Sequence, residues 1–401
     1  MLNISDPREE QKTAPIWGQA FRPFFLFACI FSVLSISAWA AVLTGELHFM
    51  PYGGLTFWHA HEMLFGFVAA IIVGFLLTAV QSWTGLRATH GIPLITLFTL
   101  WLLARMCMLL DIFAFKWITA LLDISFLLLA TFFMARLVLN VKQYRNLIFI
   151  PILLLLATAN LFTHLSVITG EMHFYTQGMY STVMIITLMM TVVAGRVFPM
   201  FTANGTKKNK VDNLAWLEKL VIGLTGILAL IHFIETQHIL SDKLMGLLFA
   251  LSCLAHSIRA LRWRPQVTFK TPLVWSLHLA YWFIPISFLL FALHYAGFNI
   301  STSNALHGLT AGAMSSLILA MIARISLGHS GRPLTPHWVM KYAFSIIVLA
   351  GSVRIMSAHI QTFFSFNLNV LSAVLWALAF GIYVVVYAPI LSSPRPDGKS
   401  G

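Results

Sequence analysis

The chain turns on Trp58-His59-Ala60-His61-Glu62-Met63-Leu64-Phe65-Gly66, which opens an apolar run continuing through Val80. About twenty apolar residues span a bilayer, so this run predicts a transmembrane helix with two imidazoles and a carboxylate in its first turns. A charge at mid-membrane costs on the order of 2.5 to 3.5 kcal/mol, and a cluster of ionisable groups at that depth marks a functional site. Residues two apart on a straight helix point about 200° from each other. His59 and His61 therefore cannot both bind one metal on an intact helix: one ligates and the other meets a partner.

Outward from this stretch the whole chain has the same character. Its 401 residues are 59% hydrophobic and 9% charged, with a mean hydropathy of +0.85, against roughly 25% charged residues in soluble domains. Apolar runs near 24–44, 57–80, 92–110, 116–138, 147–168, 176–200, 214–235, 243–260, 273–293, 304–327, 337–358 and 367–391 predict an all-α polytopic membrane protein of about twelve helices. Basic residues collect at both ends and in the even-numbered connections, as in Lys142 and Arg145 or Lys207, Lys208 and Lys210, while the odd-numbered ones offer only Lys116 and Lys243. That alternation puts both termini in the cytoplasm. The expected organisation is a cytoplasmic arm over 1–20, one twelve-helix domain over 21–391 and a cytoplasmic tail over 392–401.

The net charge of +12 reflects this topology, and no nucleic-acid partner is expected. Cys29, Cys107 and Cys253 lie far apart without C-x-x-C spacing, so neither a disulfide framework nor a covalently attached haem is indicated. With the orientation fixed, His59, His61 and Glu62 fall in the outer leaflet, His307 enters at a matching depth on the tenth run, and Arg105 and Arg354 lie one or two turns below the outer ends of the third and eleventh. Asp123 and His164 share that half. Neutral imidazole is the commonest protein ligand for haem iron, copper and zinc, and Arg105 and Arg354 suit two haem propionates or, alternatively, ion pairs with Glu62 or Asp123. A second polar group, Arg196, His278, Arg324 and His329, lies toward the cytoplasm as another site or a gate.

Five segments then resemble the NnrS family of bacterial membrane proteins: Phe21-Arg22-Pro23-Phe24-Phe25; Trp58 to Met63; Gly74 to Val80 with Trp83-Thr84-Gly85; Gly195-Arg196-Val197-Phe198-Pro199-Met200-Phe201-Thr202; and His307 to Arg332, ending Gly328-His329-Ser330-Gly331-Arg332. The resemblance implies a multi-pass protein of the bacterial inner membrane with non-covalent b-type haem, copper and a role in the response to nitric oxide. Copper has no ligand spacing of its own in the chain. The second, sixth and tenth runs are similar in order to the three-arc arrangement of haem-copper oxidase core subunits, although the sixth opens with Gln177, Gly178, Met179 and Tyr180 and contains no His, so that family's copper ligands are not all reproduced.

The leading expectation is a haem and copper protein that binds nitric oxide and limits nitrosative stress. A twelve-helix transporter of a metal ion or metal-nitrosyl species is the alternative, though no repeat of His59-Ala60-His61 is evident in the second half. A quinol-linked nitric oxide reductase is the third; whether the chain is an enzyme is left open.

Overall fold

The computed structural model describes residues 13–398, and every regular element among them is helical. The first twelve residues, with Arg8 and Lys12, and the last three, with Lys399, lie outside the described residues. Twelve helices carry the fold: α1 Phe21–Thr44, α2 Leu55–Thr84, α3 Gly91–Cys107, α4 Lys116–Asn140, α5 Phe149–Thr169, α6 Met172–Thr206, α7 Ala215–Phe233, α8 Asp242–Arg262, α9 Pro272–Tyr295, α10 Thr302–His329, α11 Met340–Ile360 and α12 Leu368–Ser392. Eleven are long and apolar enough to cross a membrane, and α3, with 17 residues, is at the short limit. This is a polytopic membrane protein.

The chain forms two compact units. Among the described residues the first holds 13–179, 322–334 and 380–398, and the second holds 180–321 and 335–379. In the first, α1 lies along α2, and α3, α4 and α5 follow as consecutive neighbours. In the second, α8 packs along α9 and α7, while α10 is held between α9 and α11.

Several segments that carry the family resemblance have plain packing roles. The buried Arg22 guanidinium donates to the carbonyl oxygens of Leu391 at 2.9 Å and Ser393 at 2.7 Å, so it caps the end of α12. Helix C-termini leave carbonyls without partners, and a cation there also meets the negative end of the dipole. The Phe21 N–H donates to Thr78 Oγ1 at 3.0 Å, which joins the start of α1 to α2.

Two helices are not regular. In α2 a seven-residue π turn, Glu62–Val68, follows immediately after His61. In α10 a second one, Gly308–Met314, follows immediately after His307. A π turn inserts a residue and rotates every side chain beyond it, and such turns concentrate at functional sites. The glycines Gly66 and Gly312, then Gly85 and Gly331, repeat at the same spacing from their histidines. The second half thus does contain a counterpart of the α2 stretch, written in geometry more than in residues.

Orientation is open to direct measurement. Alkaline phosphatase fused to the C-terminus should be inactive and a fluorescent protein there should glow, while phosphatase inserted in the connection 108–115 should be active; the opposite pattern would reverse the assignment.

Candidate metal centre

His61 is the last residue before the π turn of α2 and is fully buried, its ring flanked by Phe57 at 5.3 Å and Phe65 at 4.9 Å. Its Nε2 lies 2.9 Å from Asn160 Oδ1 and 3.2 Å from Asp123 Oδ2. His164 Nε2 reaches the same Asp123 oxygen at 3.2 Å, and Tyr52 OH is 3.0 Å from His164 Nδ1. The Asn160 amide donates to Asp123 Oδ2 at 2.6 Å. Asn160 and His164 are four apart on α5, which puts them on one face. α2 and α5 therefore converge on the carboxylate of α4, with Tyr52 from a loop behind His164.

Arg105 of α3 closes the group. It donates to Glu62 Oε1 at 2.8 Å and to Asp123 Oδ1, and all three side chains are buried. The pair is seated by Gly66: a Cβ there would lie 2.6 Å from Glu62 Oε2 and 2.9 Å from Arg105 Nη1. The carbonyl of Gly66 accepts from the Trp101 indole N–H at 2.8 Å, so a backbone group on the irregular turn keeps a partner.

Two carboxylates face one guanidinium here. With neutral imidazoles the ionised cluster holds one uncompensated negative charge away from water, an expensive state unless a cation or a proton joins it. The nitrogens of His61 and His164 and an oxygen of Asp123 lie within 4.8 Å of one another. Ligands around a tetrahedral ion at roughly 2.0–2.1 Å would stand about 3.3 Å apart, close to the two 3.2 Å separations found. Two histidines and one carboxylate form a donor set for divalent transition metals.

Two buried atoms support this. His61 Nδ1 and Glu62 Oε2 have no hydrogen-bond partner, and Nδ1 lies 3.7 Å from Glu62 Oε1. If His61 gives its Nε2 lone pair to a cation, the ring hydrogen moves to Nδ1, where Glu62 stands ready to accept it. Carboxylates of this kind orient ligating imidazoles.

The remaining expected residues go elsewhere. His59 points away from His61, as residues two apart must, and stacks on Trp39 at 4.4 Å. In the second unit, His307 meets Arg354, whose Nη2 lies 3.0 Å from its Nδ1. Arg105 forms ion pairs, whereas Arg354 has only neutral partners among the described residues. The cytoplasmic group is divided: His278 bonds Thr202 at 2.8 Å in the second unit with Arg196 on α6, while His329 lies against Phe21 and Arg324 is buried in the first. Asn160 and Tyr52 are the residues that the sequence reading misses, while it puts Asp123 and His164 in the outer polar layer without assigning them as ligands. The i, i+4 spacing of Asn160 and His164 was the available signal.

A cavity of about 430 Å³ borders the cluster, lined among others by Phe57, Lys116, Ser166, Val167 and Tyr175. Phe57 thus has one ring shared between the cavity wall and the His61 stack.

The family model described as NnrS protein matches residues 15–395, nearly the whole chain. The chain belongs to the NnrS family. It is accordingly a multi-pass membrane protein of the nitric oxide response. No curated protein matches it.

The seat of Arg105 makes a signed prediction. Gly66→Ala should destabilise this NnrS-family protein by about 3–5 kcal/mol, the cost of breaking a buried ion pair. Gly226→Ala on α7, where a Cβ meets nothing within 4 Å, should be neutral or stabilise by up to about 1 kcal/mol. Thermal unfolding in detergent reads both, and equal effects would refute the assigned role.

Proposed function

We propose that this NnrS-family chain is an inner-membrane metalloprotein of bacteria that binds nitric oxide and helps limit nitrosative stress, with a copper-class ion held by His61, Asp123 and His164. The observation that carries the reading is the sealed group of two imidazoles and two carboxylates with only one guanidinium to balance it. When bound, such an ion supplies a coordination position for a neutral diatomic. The chain's own residues do the rest. His61 and His164 present nitrogens, Glu62 faces the His61 Nδ1–H and orients the ring, Arg105 and Asn160 fix Asp123, and the rings of Phe57 and Phe65 keep water from the His61 face. A small uncharged ligand loses little on entering such a site, whereas a hydrated ion must shed its water.

The haem that family membership brings to mind does not fit this cluster. His61 Nε2 already faces Asp123 and Asn160, with rings on either side, which leaves no flat slot for a macrocycle. His59 is covered on one face by Trp39, and both ring nitrogens of His307 lie within 3.3 Å of Arg354 Nη2. No step of the proposal is routed through haem.

A metal-ion transporter is the second reading, favoured by the matched π turns in α2 and α10, since internal repeats and interrupted helices are common in transporters. Uptake of copper into proteoliposomes would select it.

The test is elemental analysis of the purified protein with anaerobic addition of nitric oxide. About one metal ion per chain is expected, falling to background in His61→Ala and His164→Ala and unchanged in His59→Ala, with an electron paramagnetic signal that nitric oxide alters. Full occupancy in both His61→Ala and His164→Ala would sink the assignment.

A further inference from the structure

Three of the buried arginines bring their own compensation. Arg105 has Glu62 and Asp123, Arg259 has Glu218, and Arg22 has two backbone carbonyls. Arg354, on the last turns of the α11 span, differs. It is half-buried and has no carboxylate within ion-pairing distance among the described residues. Its Nη1 donates to Asn304 Oδ1 at 3.2 Å and Ser357 Oγ at 3.3 Å, and its Nη2 lies against the His307 ring. The His307 Nδ1 hydrogen goes to the Ser303 carbonyl at 2.7 Å, so Nε2 is the nitrogen that accepts from the guanidinium.

Asn304 supplies a second, independent sign. It is 3% exposed, and its Nδ2 is a buried donor with no hydrogen-bond partner. A buried donor left without an acceptor is destabilising, and an uncompensated guanidinium within a membrane span adds a further penalty. Both deficits have one remedy. An acceptor carrying one negative charge would neutralise Arg354 and take the spare amide hydrogen together. The planar fork of guanidinium N–H groups matches an anion with two coplanar oxygens. Asn304 lies in the first turn of the long α10 helix, whose dipole is positive there.

We propose that Arg354 and Asn304, with His307 and Ser357 holding the guanidinium in place, form an anion site in the second unit, selective for a planar monoanion of the carboxylate or nitrite class. It is separate from the metal centre in chemistry, since it offers donors where the His61 cluster offers acceptors. The occupant is either a free small anion or the carboxylate of a bound cofactor. The site stands whether or not His61 and His164 hold a metal.

The deciding variant is Asn304→Asp, which places a carboxylate beside Arg354 and so supplies the missing charge from within. For the full-length protein in detergent, sodium formate or sodium nitrite should raise Tm by about 2–5 °C at saturation relative to equal chloride. Asn304→Asp should raise Tm without added anion and abolish the formate response, and Arg354→Gln should also abolish it. If instead the wild type ignores formate while Arg354→Gln loses an acidic pigment that solvent extracts from the wild type, the carboxylate belongs to a cofactor and the site stands. If Asn304→Asp lowers Tm or keeps the formate response, or if the wild type shows neither response nor pigment loss, the proposal is overturned. None of these readouts is metal content, so failure here and failure at the metal centre are told apart.

Discussion

An ionised side chain inside a bilayer has to find its counter-charge in the protein, because no water is there to solvate it. Asp123 is where the first unit meets that demand. One of its oxygens takes Arg105, and the other collects Asn160, His61 and His164, so α2, α3, α4 and α5 are tied to one carboxyl group. Apolar helices in lipid gain little from burying more apolar surface against one another. Polar convergence of this kind, not oiliness, fixes how these four helices are arranged.

The second unit solves the same problem with different residues. Arg259 is paired with Glu218, bonds the Thr191 carbonyl and Tyr281 OH, and sits over the Trp263 ring. Tyr281 in turn donates to His256 Nδ1 at 2.8 Å, and Thr225 lies 3.0 Å from the other ring nitrogen. The family segment that begins at Gly195 supplies the space: a Cβ there would collide with both Arg259 and Glu218. Of the segments that carry the resemblance, the one at Gly195 seats an ion pair, a role that Gly66 plays in the first unit, and those of Arg22 and Thr78 are scaffold.

The fold was legible because membrane helices announce themselves by length, apolarity and the placement of lysine and arginine between them. Half of the candidate site was legible for the same reason. His61, Glu62 and Arg105 are costly residues in apolar runs, and cost alone singles them out. Asp123 stands alone in its apolar run, Asn160 and His164 share another at i, i+4 spacing, and nothing local says that the two runs meet. The π turns were not legible at all, since Glu62–Val68 and Gly308–Met314 share no composition that distinguishes them from ordinary helix. An i, i+4 reading carried across them assigns the wrong face. The same limit hid the difference between Arg105 and Arg354, which read alike in the sequence and differ only in what the neighbouring helices bring to them.

Arg22 also bears on how the protein is made. The first helix leaves the ribosome long before the twelfth, yet its guanidinium rests on carbonyls at the far end of that twelfth helix. The first unit contains residues 380–398 as well as 13–179. During synthesis the carbonyls that receive Arg22 become available only once the twelfth helix has been made. Maturation of this unit is consequently a closing event that follows translation, and a chain cut short before Leu391 would leave its very first span unfinished.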